Sequence, residues 1–308
     1  MTKSWTVFIN LSPVEIAIET CVYVLIGLTA VSGNLLVIIS VYRNHSLRNT
    51  TNYLALSLAI TDILSPLTIL PLSVYWLIDI KTPHFTYGQA ICDFQAIWFF
   101  SLVNASGYTI TLMAYNRFVC VCKTDKYKQI FTKKKTINMI AGLWMLCFII
   151  AILLVKGEMS YAKFNPAITM CTLSQKRKSD LNKIAGNTLL VLDIAVPYSF
   201  TAYCYGKILK KIHHHKRSVA QAPSNINTLG AKEIKITWTL FAVLLGYIAL
   251  WSPVAVTAII LSHNKGLPHL ISSIIPMAAA ASSAINPVIY ALMSPEFRKT
   301  YIKTLKCR

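Results

Sequence analysis

Five polar side chains, Asn34, Asp62, Arg117, Asp193 and Asn286, stand inside long runs of apolar residues. In hydrocarbon an unpaired amide or charge costs several kcal/mol, so each needs a partner or a role. None belongs to a bond-breaking arrangement. The chain has no His-Glu-x-x-His, no Gly-x-Ser-x-Gly and no paired intramembrane carboxylates at helical spacing. The chemistry these groups offer is therefore recognition and charge pairing, and the chain reads as a non-enzyme. Arg117 is the most telling of the five. It closes an almost uncharged stretch that begins at Cys92 and ends in Ala114-Tyr115-Asn116-Arg117-Phe118, which places it at a membrane edge or facing the interior of a helical bundle.

The elements that must position these groups are membrane spans. Of 308 residues, 55% are hydrophobic and 13% charged, too little charge to coat a soluble globule of this size. Seven apolar segments are long enough to cross a bilayer as helices, over roughly 15–42, 52–79, 90–122, 136–155, 184–209, 236–262 and 269–292. The expected organisation is a tail over 1–14, a seven-span all-α domain over 15–292, and an amphipathic helix with a short tail over 293–308. A net charge of +19 could point to nucleic acid, but its distribution does not. With the N-terminus outside, 21 of the 30 Lys and Arg residues fall on the cytoplasmic side, as the positive-inside rule requires. No nucleic-acid partner is expected, and the basic inner face suits membrane lipid.

On this topology only Cys92 and Cys171 of the eight cysteines lie at the oxidising side, and they are expected to form one disulfide. Cys307, in the basic tail, is a candidate for palmitoylation. Asn10-Leu11-Ser12 fits a glycosylation acceptor on the outer tail, and no cleavable signal peptide is apparent, so the first span is expected to direct insertion. Along the chain, Gly33-Asn34, Leu58-Ala59-Ile60-Thr61-Asp62, Trp144, Pro197 with Tyr205, Trp251-Ser252-Pro253 and Asn286-Pro287-Val288-Ile289-Tyr290 mark successive spans. Pro253 and Pro287 each remove a backbone donor and kink their helices.

These motifs, together with the Cys92/Cys171 pair and Asn116-Arg117-Phe118 in place of Asp-Arg-Tyr, resemble in order and one per span the rhodopsin-like (class A) G-protein-coupled receptors. Two stretches are locally similar to melatonin receptors: Asn116-Arg117-Phe118 followed by Cys122 and Lys126-Tyr127, and Asn165-Pro166 ahead of Cys171-Thr172-Leu173-Ser174-Gln175. Other positions depart from that family. Leu154 stands for its pocket Asn, Leu173 for its loop Phe, Asp193 for its fifth-span His, and Asn286-Pro287 for its Asn-Ala. Phe99 occupies the place of the aminergic carboxylate, and no Lys lies between His269 and Leu292 for a retinal Schiff base.

The resemblance implies a plasma-membrane receptor for a small extracellular ligand held by Phe99, Val103, Asn104, Gln175, Asp193, Trp251 and Val254. Asp193, one helical turn before Pro197, would favour a cation or strong donor. The resemblance also implies a switch built on Asn116, Arg117, Phe118, Tyr205, Glu233, Pro253, Asn286, Pro287 and Tyr290. It further implies a heterotrimeric G protein of the inhibitory class as partner. No cofactor is expected beyond an allosteric sodium ion at Asp62, Ser106 and Asn286. The alternatives are a receptor for a small cationic amine or short peptide and, in another class, a transporter or channel. The absence of internal repeats disfavours the latter.

Overall fold

The computed structural model describes residues 11–78, 88–157, 160–175, 195–214, 231–263 and 269–306. The chain enters its first helix through a reciprocal cap. Ser12 Oγ accepts from Glu15 N at 3.2 Å while Glu15 Oε2 accepts from Ser12 N at 2.7 Å, with Pro13 at the first helical position. This helix, α1, runs Pro13–Arg43. The second span comprises α2 (Thr50–Thr68) and α3 (Leu70–Ile78), with a break at Ile69 that follows Pro66. Then come α4 (Gly88–Cys122), the short α5 (Thr124–Ile130) and α6 (Lys133–Lys156), capped by Thr132 Oγ1 on Lys135 N at 3.2 Å. Helix α7 is described over 195–214. It is followed by α8 (Ala231–His263), the single turn α9 (His269–Ser272), α10 (Ile274–Met293) and α11 (Pro295–Leu305).

Among the described residues, six helices are long and apolar enough to cross a membrane. Helix α7 joins the bundle through Thr201 Oγ1, 3.2 Å from Thr111 Oγ1 on α4, and through Tyr205 against Phe241 on α8. Proline lies within α8 at Pro253 and within α10 at Pro287, as expected.

Apolar side chains do not mark the inside of this bundle. On α6, Met145, Leu146, Ile149 and Leu153 are exposed, while Thr136, Cys147 and Ala151 are buried. Lipid solvates Leu as well as a protein core does, so small and polar residues take the helix contacts. Gly33 shows this at its tightest: a Cβ there would lie 2.9 Å from the ring of Pro287 on α10. Beside it Asn34 Nδ2 donates to Ala30 O at 2.9 Å and Ser283 O at 2.8 Å. Trp144 Nε1 likewise donates to Ser57 Oγ at 3.0 Å, tying α6 to α2.

After α6 the chain forms a feature absent from the all-α expectation. β1 (Ser160–Asn165) pairs antiparallel with β2 (Met170–Gln175), with Phe164 opposite Cys171. A 3-10 turn over Pro166–Ile168 joins them and ends at Thr169, whose φ is 48°. The Cys92–Cys171 disulfide pins the hairpin to α4. Gln95 Oε1 reinforces it by accepting from Cys171 N at 2.8 Å. Gln89 Nε2 bridges Ala162 O at 2.8 Å and Asp93 Oδ1 at 2.7 Å, and Asp93 pairs with Lys156.

Candidate functional site

Between the spans and under this hairpin lies a cavity. Its walls are Thr61, Asp62, Ser65 and Ile69 of the second span, Phe99, Leu102, Val103 and Ser106 of α4, Trp251 of α8, and Pro276, Ala279, Ser282 and Ser283 of α10, with Met170 of the hairpin also lining it. The upper part is apolar and aromatic, and the lower part is lined with hydroxyls. Trp251 Nε1 is buried there with no hydrogen-bond partner among the described residues, a donor that a polar guest could satisfy. The space open to a water-sized molecule is about 30 Å³, enough for a few waters or an ion and far below the ~300 Å³ of a drug-sized site. This conformation is a closed one.

At the lower end, Asp62 is 3% exposed and accepts from Asn286 Nδ2 at 2.7 Å. Ser106 lines the same cavity as Asp62, and Ser283 stands within reach of the carboxylate. The oxygen-rich set of Asp62, Ser106 and Ser283 fits a hard cation in donor type. Asn286 presents its Nδ2 to Asp62, so its own oxygen is turned away from this carboxylate.

Toward the other end of α4, Arg117 is 2% exposed and fully engaged. Its Nη1 meets Glu233 Oε2 of α8 at 2.9 Å, its Nε and Nη2 donate to Asn116 Oδ1 at 3.2 and 2.8 Å, and Nη2 also donates to Thr51 Oγ1 of α2. Asn116 Oδ1 accepts from Thr51 Oγ1 as well, at 3.0 Å. Tyr127 of α5 bridges Thr50 Oγ1 at 2.7 Å and Asn116 Nδ2 at 3.4 Å. Asn116 thus keeps the geometry of an intrahelical partner without the charge, and the carboxylate facing Arg117 belongs to another helix. Tyr205 is buried within electrostatic reach of Arg117, and Tyr290, also buried, stacks on Phe297 of α11 at 5.2 Å.

A family model described as 7 transmembrane receptor (rhodopsin family) matches residues 33–290. The chain belongs to the rhodopsin family of seven-transmembrane receptors. It is 30% identical over 280 residues to melatonin receptor type 1A of Mus musculus, covering 89% of this chain and 76% of that protein. It is 26% identical over 297 residues to melatonin receptor type 1B-B of Danio rerio, covering 94% and 82%. It is also 26% identical over 292 residues to the allatostatin-A receptor of Bombyx mori, covering 92% and 78%. The receptor is accordingly a multi-pass plasma-membrane protein that takes an extracellular ligand, signals through a heterotrimeric G protein and resembles the melatonin receptors.

In this receptor Phe99, Val103 and Trp251 come together at the cavity, and Val254 packs behind them with Leu102 and Met170. Asn104 is half-buried and outside the lining. Asp193 lies outside the described residues, as does the side chain of Gln175. Sequence reasoning missed the contribution of Ser65, Ile69, Met170, Pro276 and Ala279, ordinary span or loop residues with no distinguishing motif. It also missed Thr51 and Tyr127, whose role depends on how α2 and α5 meet α4.

Proposed function

We propose that this receptor, with its N-terminus outside, binds a small, partly apolar ligand between Phe99, Val103, Asn104, Gln175, Asp193, Trp251 and Val254, and relays the event to a G protein of the inhibitory class. The observation that carries the reading is the pairing of a closed cavity beside Trp251 with an intact Arg117–Glu233 bridge in the same bundle. A ligand that expands the cavity at Trp251 pushes on α8. The Pro253 kink converts that push into a swing of the opposite half, which parts Glu233 from Arg117 and opens a cleft for the G protein. Asp62, Ser106 and Asn286 hold sodium in the closed state, with Ser283 as a further oxygen donor; the reading requires the Asn286 amide to turn from its present bond with Asp62. Similarity to melatonin receptors makes melatonin and related indoles the first ligands to try, and Asp193 makes small cationic amines the second.

The test is G-protein activation in cells expressing the receptor, with several G-protein classes read in parallel against melatonin, related indoles and small cationic amines. Activation that Asp193→Asn weakens by about 1.5–3 kcal/mol, roughly ten- to a hundred-fold in potency, supports a charge-assisted contact with a cationic ligand. Unchanged potency in both Asp193→Asn and Gln175→Ala removes these residues from the site.

A further inference from the structure

A buried acid–base pair joins the ends of the first and seventh spans on the hairpin side, and neither the ligand cavity nor the Arg117 network uses it. Glu19 of α1 places Oε2 3.1 Å from His269 Nε2 of α9, with the two side chains 8% and 7% exposed. His269 Nδ1 is buried with no partner among the described residues. The turn over Pro166–Ile168 packs on α9, and the Thr169 that ends it is a buried β-branched residue held at a φ of 48°. One residue on, Met170 enters the cavity wall, and two to three turns below His269 so do Pro276 and Ala279. The pair therefore sits where first span, seventh span and hairpin meet, and the latter two continue into the cavity wall.

A hydroxyl or amide could tie these elements at any pH. An imidazole facing a carboxylate makes the tie depend on a proton, because imidazole ordinarily titrates between pH 5 and 8. With the ring neutral, Nε2–H donates to Glu19 and one buried charge is left uncompensated. A proton arriving at Nδ1 converts the contact into a charge-assisted bond within a neutral pair. Among the described residues, other titratable groups nearby are few. Glu15, one turn earlier on α1, is within electrostatic reach of His269 but bonds Ser12. Tyr23, one turn later, is buried, and α3 contributes Tyr75, 40% exposed. Pro166–Ile168 contributes none, α10 none before Tyr290 at its far end, and the described side chains of α8 between Ser252 and Ile260 none.

We propose that Glu19 and His269 form an extracellular proton-binding site, which tightens the junction of first span, seventh span and hairpin as the medium acidifies and so biases the cavity below. The word extracellular rests on the orientation proposed above; the proton site itself does not. Purified full-length receptor in lipid nanodiscs is unfolded thermally between pH 5.5 and 8.5, as the native chain, as E19Q, as H269N and as the swapped pair E19H/H269E. The native midpoint is expected to be about 2–4 °C higher at pH 6 than at pH 8. That slope should flatten in each single variant and return in the swapped pair, which guards against loss of fold as the explanation. One common slope in all four proteins overturns the site. In cells, outer pH is then stepped with an impermeant buffer at clamped inner pH while basal G-protein activation is read. A change of twofold or more between pH 6 and 8, absent in E19Q, supports the coupling, and no response to either pH overturns it. A response to inner pH alone overturns the orientation and leaves the proton site standing.

Discussion

Arg117 is held by three helices' worth of acceptors, and only one of them is charged. Because Glu233 is 40% exposed, its bridge is worth about 0–1 kcal/mol. Glu233→Ala is therefore expected to raise ligand-free signalling by up to about five-fold; no rise in basal activity at matched surface expression would remove the bridge from the switch. Thr51 and Asn116 would still hold the guanidinium, so the variant should remain ligand-responsive. At Asp62 the donor set predicts an ion-dependent receptor. Agonist affinity is expected to rise when sodium is replaced by a large organic cation, and Asp62→Asn should abolish that difference. Affinity indifferent to the exchange in the native receptor would exclude the ion site. The identity of these residues could be read directly from sequence, because a charge or amide in an apolar run has to be accounted for. Their partners Thr51, Tyr127 and Ser283 could not, since a hydroxyl in a span or a short connecting helix carries no comparable cost.

Helix contacts set a different kind of constraint. The first and seventh spans approach so closely at Gly33 that a single added methyl group would overlap Pro287. Gly33→Val is expected to lower stability by about 1–3 kcal/mol, as overpacking does, seen as a lower thermal midpoint and less receptor at the surface. A midpoint unchanged from native would mean that the two helices are not held at this distance. The hairpin illustrates what element-level reasoning omits. Its strands, Ser-Tyr-Ala-Lys-Phe-Asn and Met-Cys-Thr-Leu-Ser-Gln, have no strong alternation. Disulfide, Gln95 and Gln89 fix them from outside, so the sheet owes its position to α4 more than to its own pattern.

Over the whole molecule, the excess of basic residues near one set of helix ends predicts orientation. An epitope placed before Pro13 should be stained on intact cells and one placed after Arg308 only after permeabilisation; the reverse pattern would invert every assignment of outside and inside. By itself the sequence determined that the chain is a bundle of membrane helices. It set several of the described span boundaries to within a few residues, such as 90–122 against Gly88–Cys122 and 136–155 against Lys133–Lys156. It also determined the family, because length, hydropathy and one polar motif per span are local properties. It placed the pair Cys92 and Cys171 as well, since topology leaves them alone on one side. Only the tertiary structure decided which faces meet. In lipid both faces of a helix are apolar, so the periodicity that marks a buried face in water is missing and small residues such as Gly33 and Ala151 carry the packing instead. The closed cavity and the Arg117 network each join residues from three or more segments far apart in the chain, and the Glu19–His269 pair joins two. Such contacts are set by distances between helix axes, and no local pattern encodes those distances.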